Sequence, residues 1–204
     1  MKHTAFILTF ICATAWADNS QPWQDARINE INREPMTAHF LPFISEQAAL
    51  AQQALPDEQR FNVNPATERR ISLNGTWKFL YSKNNDACPA DFQKPGYNTK
   101  KWKDIQVPGS WELQGFDAPI YTDTRYPFPP NPPYVPTDYN PVGAYVHEFT
   151  VPEGWDGMDI FLDFEGVESA FYCWVNGELA GYSEDSRLPA HFNVTNLLKK
   201  GKAQ

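Results

Sequence analysis

Two carboxylates, Asp123 and Asp185, stand where this chain could do chemistry. Asp185 lies in Gly181-Tyr182-Ser183-Glu184-Asp185-Ser186-Arg187-Leu188-Pro189-Ala190-His191-Phe192. That stretch packs acid, hydroxyl and base into a loop whose course Gly181 and Pro189 restrict. Such side chains can hold a polar ligand group, and a carboxylate oxygen is both a hydrogen-bond acceptor and a hard cation ligand. Each aspartate taken alone also fits a turn or a cap, because a short acceptor side chain satisfies nearby backbone N–H groups. The other reactive types are sparse. No Cys/His group has zinc spacing. His147 has no partner for metal or acid–base work and reads as a structural side chain. Cys173 lies in an apolar strand and reads as a small core residue, and its pairing with Cys88 stays open.

The elements that must position these residues change character along the chain. Lys2 and His3, the apolar run from Thr4 to Thr14 and Ala15-Trp16-Ala17 form a secretory leader with an A-x-A cleavage pattern. Residues 1–17 are therefore expected to be removed and the protein exported, to the periplasm or beyond. Ile11 stands where a lipobox would need a small residue before Cys12, which argues for release. No other stretch is apolar enough to span a bilayer. Residues 18–70 read as an irregular arm with one short helix over 45–55, capped by Ser45 and stopped by Pro56. Such an arm must dock on something to be ordered.

From Ile71 the pattern becomes β. Leu73, Trp77, Phe79 and Tyr81 share one side of a strand entered through Asn74-Gly75. Trp102 to Val107 is a short strand ended by Pro108-Gly109. Gly143 to Val151 places Tyr145, His147, Phe149 and Val151 on one face. Met158, Ile160, Leu162 and Phe164 alternate with Asp159, Phe161, Asp163 and Glu165, the mark of a half-solvated antiparallel strand. Ala170 to Val175 is apolar on both sides and reads as a central strand. Asn176-Gly177 then makes a type I′ hairpin. Short strands without βα alternation indicate an all-β sandwich.

Composition supports this and excludes some partners. The formal net charge is −8, which argues against nucleic acid. Aromatic residues make up 15% of the chain and there are 18 prolines, suiting strands and rigid turns. Aromatic rings fill β cores and also stack on sugars, and composition does not separate the two uses. The proline-dense stretch from Tyr126 to Pro141 carries Phe128, Tyr134 and Tyr139. It reads as a rigid loop rather than a linker.

Several runs resemble family 2 glycoside hydrolases, and within them the β-galactosidases. The spacing Trp23-x7-Ile31-Asn32-Arg33 is similar to the opening arm of the long members. Leu73-Asn74-Gly75-x-Trp77-x-Phe79 resembles the start of their sugar-binding domain. Val107-Pro108-x-x-Trp111, Gly115 to Thr122, Tyr126-Pro127, Asn131 to Pro136 and Asn140-Pro141-x-Gly143 follow the same pattern, as does the run from Gly181 to Phe192. The resemblance implies a jelly-roll, galactose-binding-like sandwich over residues 71–204, incomplete at its C-terminal end. It implies that Asp123 and Asp185 contact the galactosyl group and that Asp185 helps ligate sodium. It also implies that Arg187 braces the loop.

Two positions depart from the family pattern: Asp123, where Asn is common, and His191, where Glu is usual. The resemblance places both catalytic glutamates and the magnesium ligands on a later (β/α)8 barrel, and none of this chain's glutamates sits in either catalytic motif. The chain is thus expected to be the sugar-binding part of a β-galactoside hydrolase and inactive alone. Its partners would be a β-galactoside carbohydrate and the remaining domains of a parent enzyme that can be homo-oligomeric. A free-standing carbohydrate-binding module is the rival reading.

Overall fold

The computed structural model describes residues 21–60, 67–119 and 128–198, with 202–203 described for their backbone. Residues 1–17, expected to be a leader, and Asp123 lie outside the described residues. In chain order the strands are β1 (Glu30–Ile31), β2 (Gly75–Ser82), β3 (Lys103–Val107), β4 (Val142–Val146), β5 (Phe149–Thr150), β6 (Phe161–Phe164), β7 (Ala170–Val175), β8 (Glu178–Glu184), β9 (Ala190–Asn193) and β10 (Lys202–Ala203). They pair antiparallel in the orders β3-β2-β4, β1-β8-β7, β6-β9 and β5-β10. This is the all-β antiparallel sandwich that the strand pattern indicates.

Two apolar centres hold it together. In the first, alternation does the sorting. Ile160, Leu162 and Phe164 turn inward from the β6 segment, while Asp159, Phe161 and Asp163 face out. They close on Cys173, Val175, Ala180, Ala190, Phe192 and Val194. The rings of Phe164, Phe171 and Phe192 meet at 4.9–6.1 Å, within the range of favourable aromatic pairs. In the second centre, Phe79 of β2 is fully buried and touches Trp111, Phe116 and Tyr145. Phe92 joins the halves, its ring 5.9 Å from Trp102 beside β3 and 5.8 Å from Trp174 on β7.

The hairpin forms as its dipeptide requires. Asn176 and Gly177 sit at φ 53 and 88, the left-handed pair of a type I′ turn, and Val175 faces Glu178 across it. The expected strand over 143–151 breaks at His147, which leaves the ladder to stack on Trp77 at 4.7 Å. Burial lowers its pKa, so the imidazole is neutral and structural. Among the described residues β7 is an edge strand, its ladder bonds running to β8 alone. Its outer face is apolar because the Phe92 loop covers Trp174. Both Cys88 and Cys173 are free thiols, and burial pushes Cys173 up to about 12.

The central strand is β8, and the arm makes it so. Residues Glu30 and Ile31 pair with Ser183 and Tyr182. Farther on, α1 (Glu46–Gln53) begins at Ser45, whose hydroxyl accepts from the Ala48 amide at 3.2 Å. A one-turn helix, α2 (Asp57–Arg60), follows Pro56 and adds to the single helix expected. No residue of α1 is fully buried; Ala48, Ala49 and Gln52 are half-buried.

Gly181 is part of β8 rather than of a loop. A Cβ there would lie 2.3 Å from the Phe192 ring and 2.5 Å from the Ile31 carbonyl oxygen. Arm and core both close on the space that glycine leaves. Gly181→Ala is therefore expected to destabilise the chain by about 1–3 kcal/mol, as overpacking does. Urea unfolding measures it, and an unchanged midpoint would contradict the close docking of β1.

Candidate functional site

Asp185 follows directly on β8, where the strand hands the chain to the turn before β9. Its φ is 118, a region that non-glycine residues rarely occupy and that surrounding bonds must hold. Three bonds do so. The Asp185 N–H donates to the Ser169 carbonyl at 3.1 Å. The Oδ1 atom accepts from the Arg187 amide at 2.8 Å and the Leu188 amide at 3.2 Å. These two amides hold the carboxyl below the usual carboxylate range, and the charge of Arg33 adds to the effect. The side chain is thus a turn cap through one oxygen. Its Oδ2 makes no hydrogen bond among the described residues, and the residue is exposed. The carboxylate braces its own loop through Oδ1, while Oδ2 stays unbonded among the described residues.

The strand behind it is fixed from the arm. Arg33 is buried, with 9% of its side chain exposed. Its Nη1 donates to Ser183 Oγ at 2.8 Å and to the Glu184 carbonyl at 3.1 Å, and its Nη2 pairs with Glu30. The Glu184 amide donates to the Asn29 carbonyl at 2.9 Å. Asn32, at φ 54, donates from Nδ2 to the Ala180 carbonyl at 3.3 Å. On the sheet itself the Tyr182 hydroxyl donates to Glu184 Oε1 at 2.5 Å.

Two expectations about the loop change. The bracing guanidinium is Arg33, not Arg187. Arg187 contributes its backbone N–H, and its side chain is exposed with no bond among the described residues. His191 is not part of the turn but a strand residue of β9 facing Asp163, with Nδ1 3.2 Å from Oδ1. Its carbonyl accepts from the Glu34 amide at 2.9 Å, a second tie to the arm. The Ile31-Asn32-Arg33 run was visible in the sequence. That its arginine would be buried against β8 was not, because a lone arginine in an irregular arm reads as solvated.

A second polar group was also missed. Asp117, at φ 65, accepts from the Tyr81 hydroxyl at 2.6 Å, from the Tyr139 hydroxyl at 2.9 Å and from the Ala118 amide at 2.8 Å. It ties β2 to the proline-dense loop. Tyr81 first, then the Ala118 amide and Tyr139, hold Asp117 below the usual range. The structure offers no resident metal cluster: among the described residues, no three His, Cys, Asp or Glu side chains are arranged to hold one. No described helix is long and apolar enough to cross a membrane. Two surface depressions, one bordered by Trp77, Tyr97 and His147 and one by Trp23 and Asn85, are lined by residues other than Asp185.

The model of the glycosyl hydrolases family 2 sugar-binding domain matches residues 71–204. This chain belongs to glycosyl hydrolase family 2. A β-galactosidase of Priestia megaterium is 39% identical over 194 residues, covering 93% of this chain and 18% of that protein. One from Leuconostoc mesenteroides is 48% identical over 144 residues, covering 69% of this chain and 14% of that protein. The chain thus spans less than a fifth of the length of these family 2 relatives. A solved β-glucuronidase of Bifidobacterium dentium, complexed with coumarin-3-O-glucuronide, superposes with a TM-score of 0.48 at 22% identity, over 68% of this chain and 20% of that one.

The Asp117 group gives this family 2 domain a pH dependence of known sign. Its native pKa is depressed, so its contribution to stability is present above the unfolded value of about 4 and is lost as pH falls through the native value. Carbon-detected NMR should find the Asp117 carboxyl titrating below 3.8, with Tyr81→Phe moving the midpoint upward. A midpoint that ignores Tyr81→Phe would contradict the assigned hydrogen bond.

Proposed function

We propose that this chain is the sugar-recognising N-terminal part of an exported β-galactosidase, an enzyme that releases terminal non-reducing β-D-galactose from β-galactosides. The observation that carries the reading is the agreement of its relatives: β-galactosidases from different bacteria match at 37–48% identity, three of them over nine-tenths of this chain or close to it. The free Oδ2 of Asp185, on a turn held by three bonds, supports a contact with a sugar hydroxyl donating to it. Asp123 would supply a second acceptor from the stretch before the proline-dense loop.

The donor chemistry of Asp185 suits sodium, since one hard carboxylate oxygen remains for it. Bound there, sodium would neutralise the carboxylate and offer its remaining coordination to sugar oxygens. Its other ligands would come from the rest of the enzyme, as would magnesium. Hydrolysis with retention needs two carboxyl groups about 5–5.5 Å apart, one as nucleophile and one as acid/base. In this reading both belong to the later barrel, and the present residues bind and orient. Contacts of this kind hold the galactosyl ring still relative to those carboxylates, lowering the entropy cost of reaching the transition state.

The 204-residue chain is expected to leave nitrophenyl β-galactoside unhydrolysed. In the complete enzyme Asp185→Ala should lower kcat/KM by roughly tenfold or more, since a charge-assisted contact contributes on the order of 1.5–3 kcal/mol. Asp123→Asn, which keeps an acceptor oxygen and adds an amide donor, should be tolerated. Steady-state kinetics over a range of sodium concentrations decides this. Turnover by the isolated chain, or a neutral Asp185→Ala, would sink the reading.

A further inference from the structure

We infer that Arg33 of the arm is the positioning residue for Asp185, so that docking of the arm sets the geometry of the sugar contact. The inference rests on the reading that Asp185 meets the sugar. The guanidinium bonds both residues immediately before Asp185, through Ser183 Oγ at 2.8 Å and the Glu184 carbonyl at 3.1 Å. The Asn29 carbonyl holds the Glu184 amide, and the Ser169 carbonyl holds that of Asp185. Together these fix the peptide on which Asp185 takes its left-handed φ of 118. Without the arginine, that φ would depend on the Asn29 and Ser169 contacts and the aspartate's own cap.

Stability alone does not account for this arginine. Its ion pair is with Glu30, whose side chain is half-exposed, and such a pair is a weak source of stability. Arg33 also leaves its Nε buried without a partner among the described residues, which costs free energy. A methionine would fill the space without that cost. What methionine cannot do is hold Ser183 and Glu184 in one register, or place a positive charge behind the Asp185 carboxylate.

A double-mutant cycle in the complete enzyme, this chain followed by its remaining domains, tests the inference. The readout is equilibrium binding of isopropyl thio-β-galactoside, which is not hydrolysed. Arg33→Met should weaken binding by about three- to tenfold, as loss of a charged hydrogen bond does. Arg33→Lys should recover part of the loss, because one ammonium reaches one of the two acceptors. In the Asp185→Ala background, Arg33→Met should add less than about twofold, since residues acting through one another are not additive. Amide exchange should rise at Glu184, Asp185, Arg187 and Leu188 in Arg33→Met and stay unchanged in β2. If Arg33→Met fails to fold, Ser183→Ala removes one of the same bonds and must show the same non-additivity. Additive losses, or wild-type binding by Arg33→Met, overturn the inference alone. Wild-type binding by Asp185→Ala overturns the sugar contact and the inference with it.

Discussion

The absence of a side chain at Gly181 is the constraint on which this structure depends. It lets the Ile31 carbonyl of the arm and the Phe192 ring of the core both come into contact distance with one strand. Because they can, β1 pairs with β8 on one side and the Phe164–Phe171–Phe192 cluster closes against it. A polar strand end is thereby pinned between an ordered arm and a packed core. Asp185 emerges where that pinning stops. Its unusual backbone angle persists because Arg33, Asn29 and Ser169 hold the chain on either side of it.

The arm is therefore part of what holds the Asp185 turn rather than a tail. Residues 29–34 pay the entropy of ordering through a ladder and an arginine with 9% of its side chain exposed; α1 has no fully buried residue. That division is physical. Residues 29–34 find strand edges and carbonyls to bond, whereas α1 presents no continuous apolar face. The acidic character of the chain has a local counterpart here. One basic residue, Arg33, lies behind the Asp185 carboxylate and offsets its charge.

Much of this was legible from local rules. Asn176-Gly177 specified its turn because few other dipeptides accept two left-handed residues. Ser45 specified a helix start because its hydroxyl satisfies an orphan amide. The alternation from Met158 to Phe164 specified which side of that segment is buried. The failures were all failures of tertiary context. Gly181 looked like a loop residue because glycine marks loops and close approaches alike. Ala170 to Val175 looked central because a covering loop and a covering strand demand the same apolar residues. Arg187 looked like the brace because it is near Asp185 in sequence, while the brace in space is Arg33, carried in from a distant segment. Asp185 was singled out by resemblance. The geometry adds that Oδ1 alone caps the turn while Oδ2 is left unbonded among the described residues, a division that no spacing rule encodes.

The most direct measurement is a crystal structure of the complete enzyme with isopropyl thio-β-galactoside and sodium bound. The account predicts the Asp185 Oδ1 still capping the Arg187 and Leu188 amides, and Oδ2 directed at the sodium or a galactosyl hydroxyl, with Arg33 still bonded to Ser183 and Glu184. A sugar bound elsewhere, with both Asp185 oxygens in water or on the backbone, would contradict it.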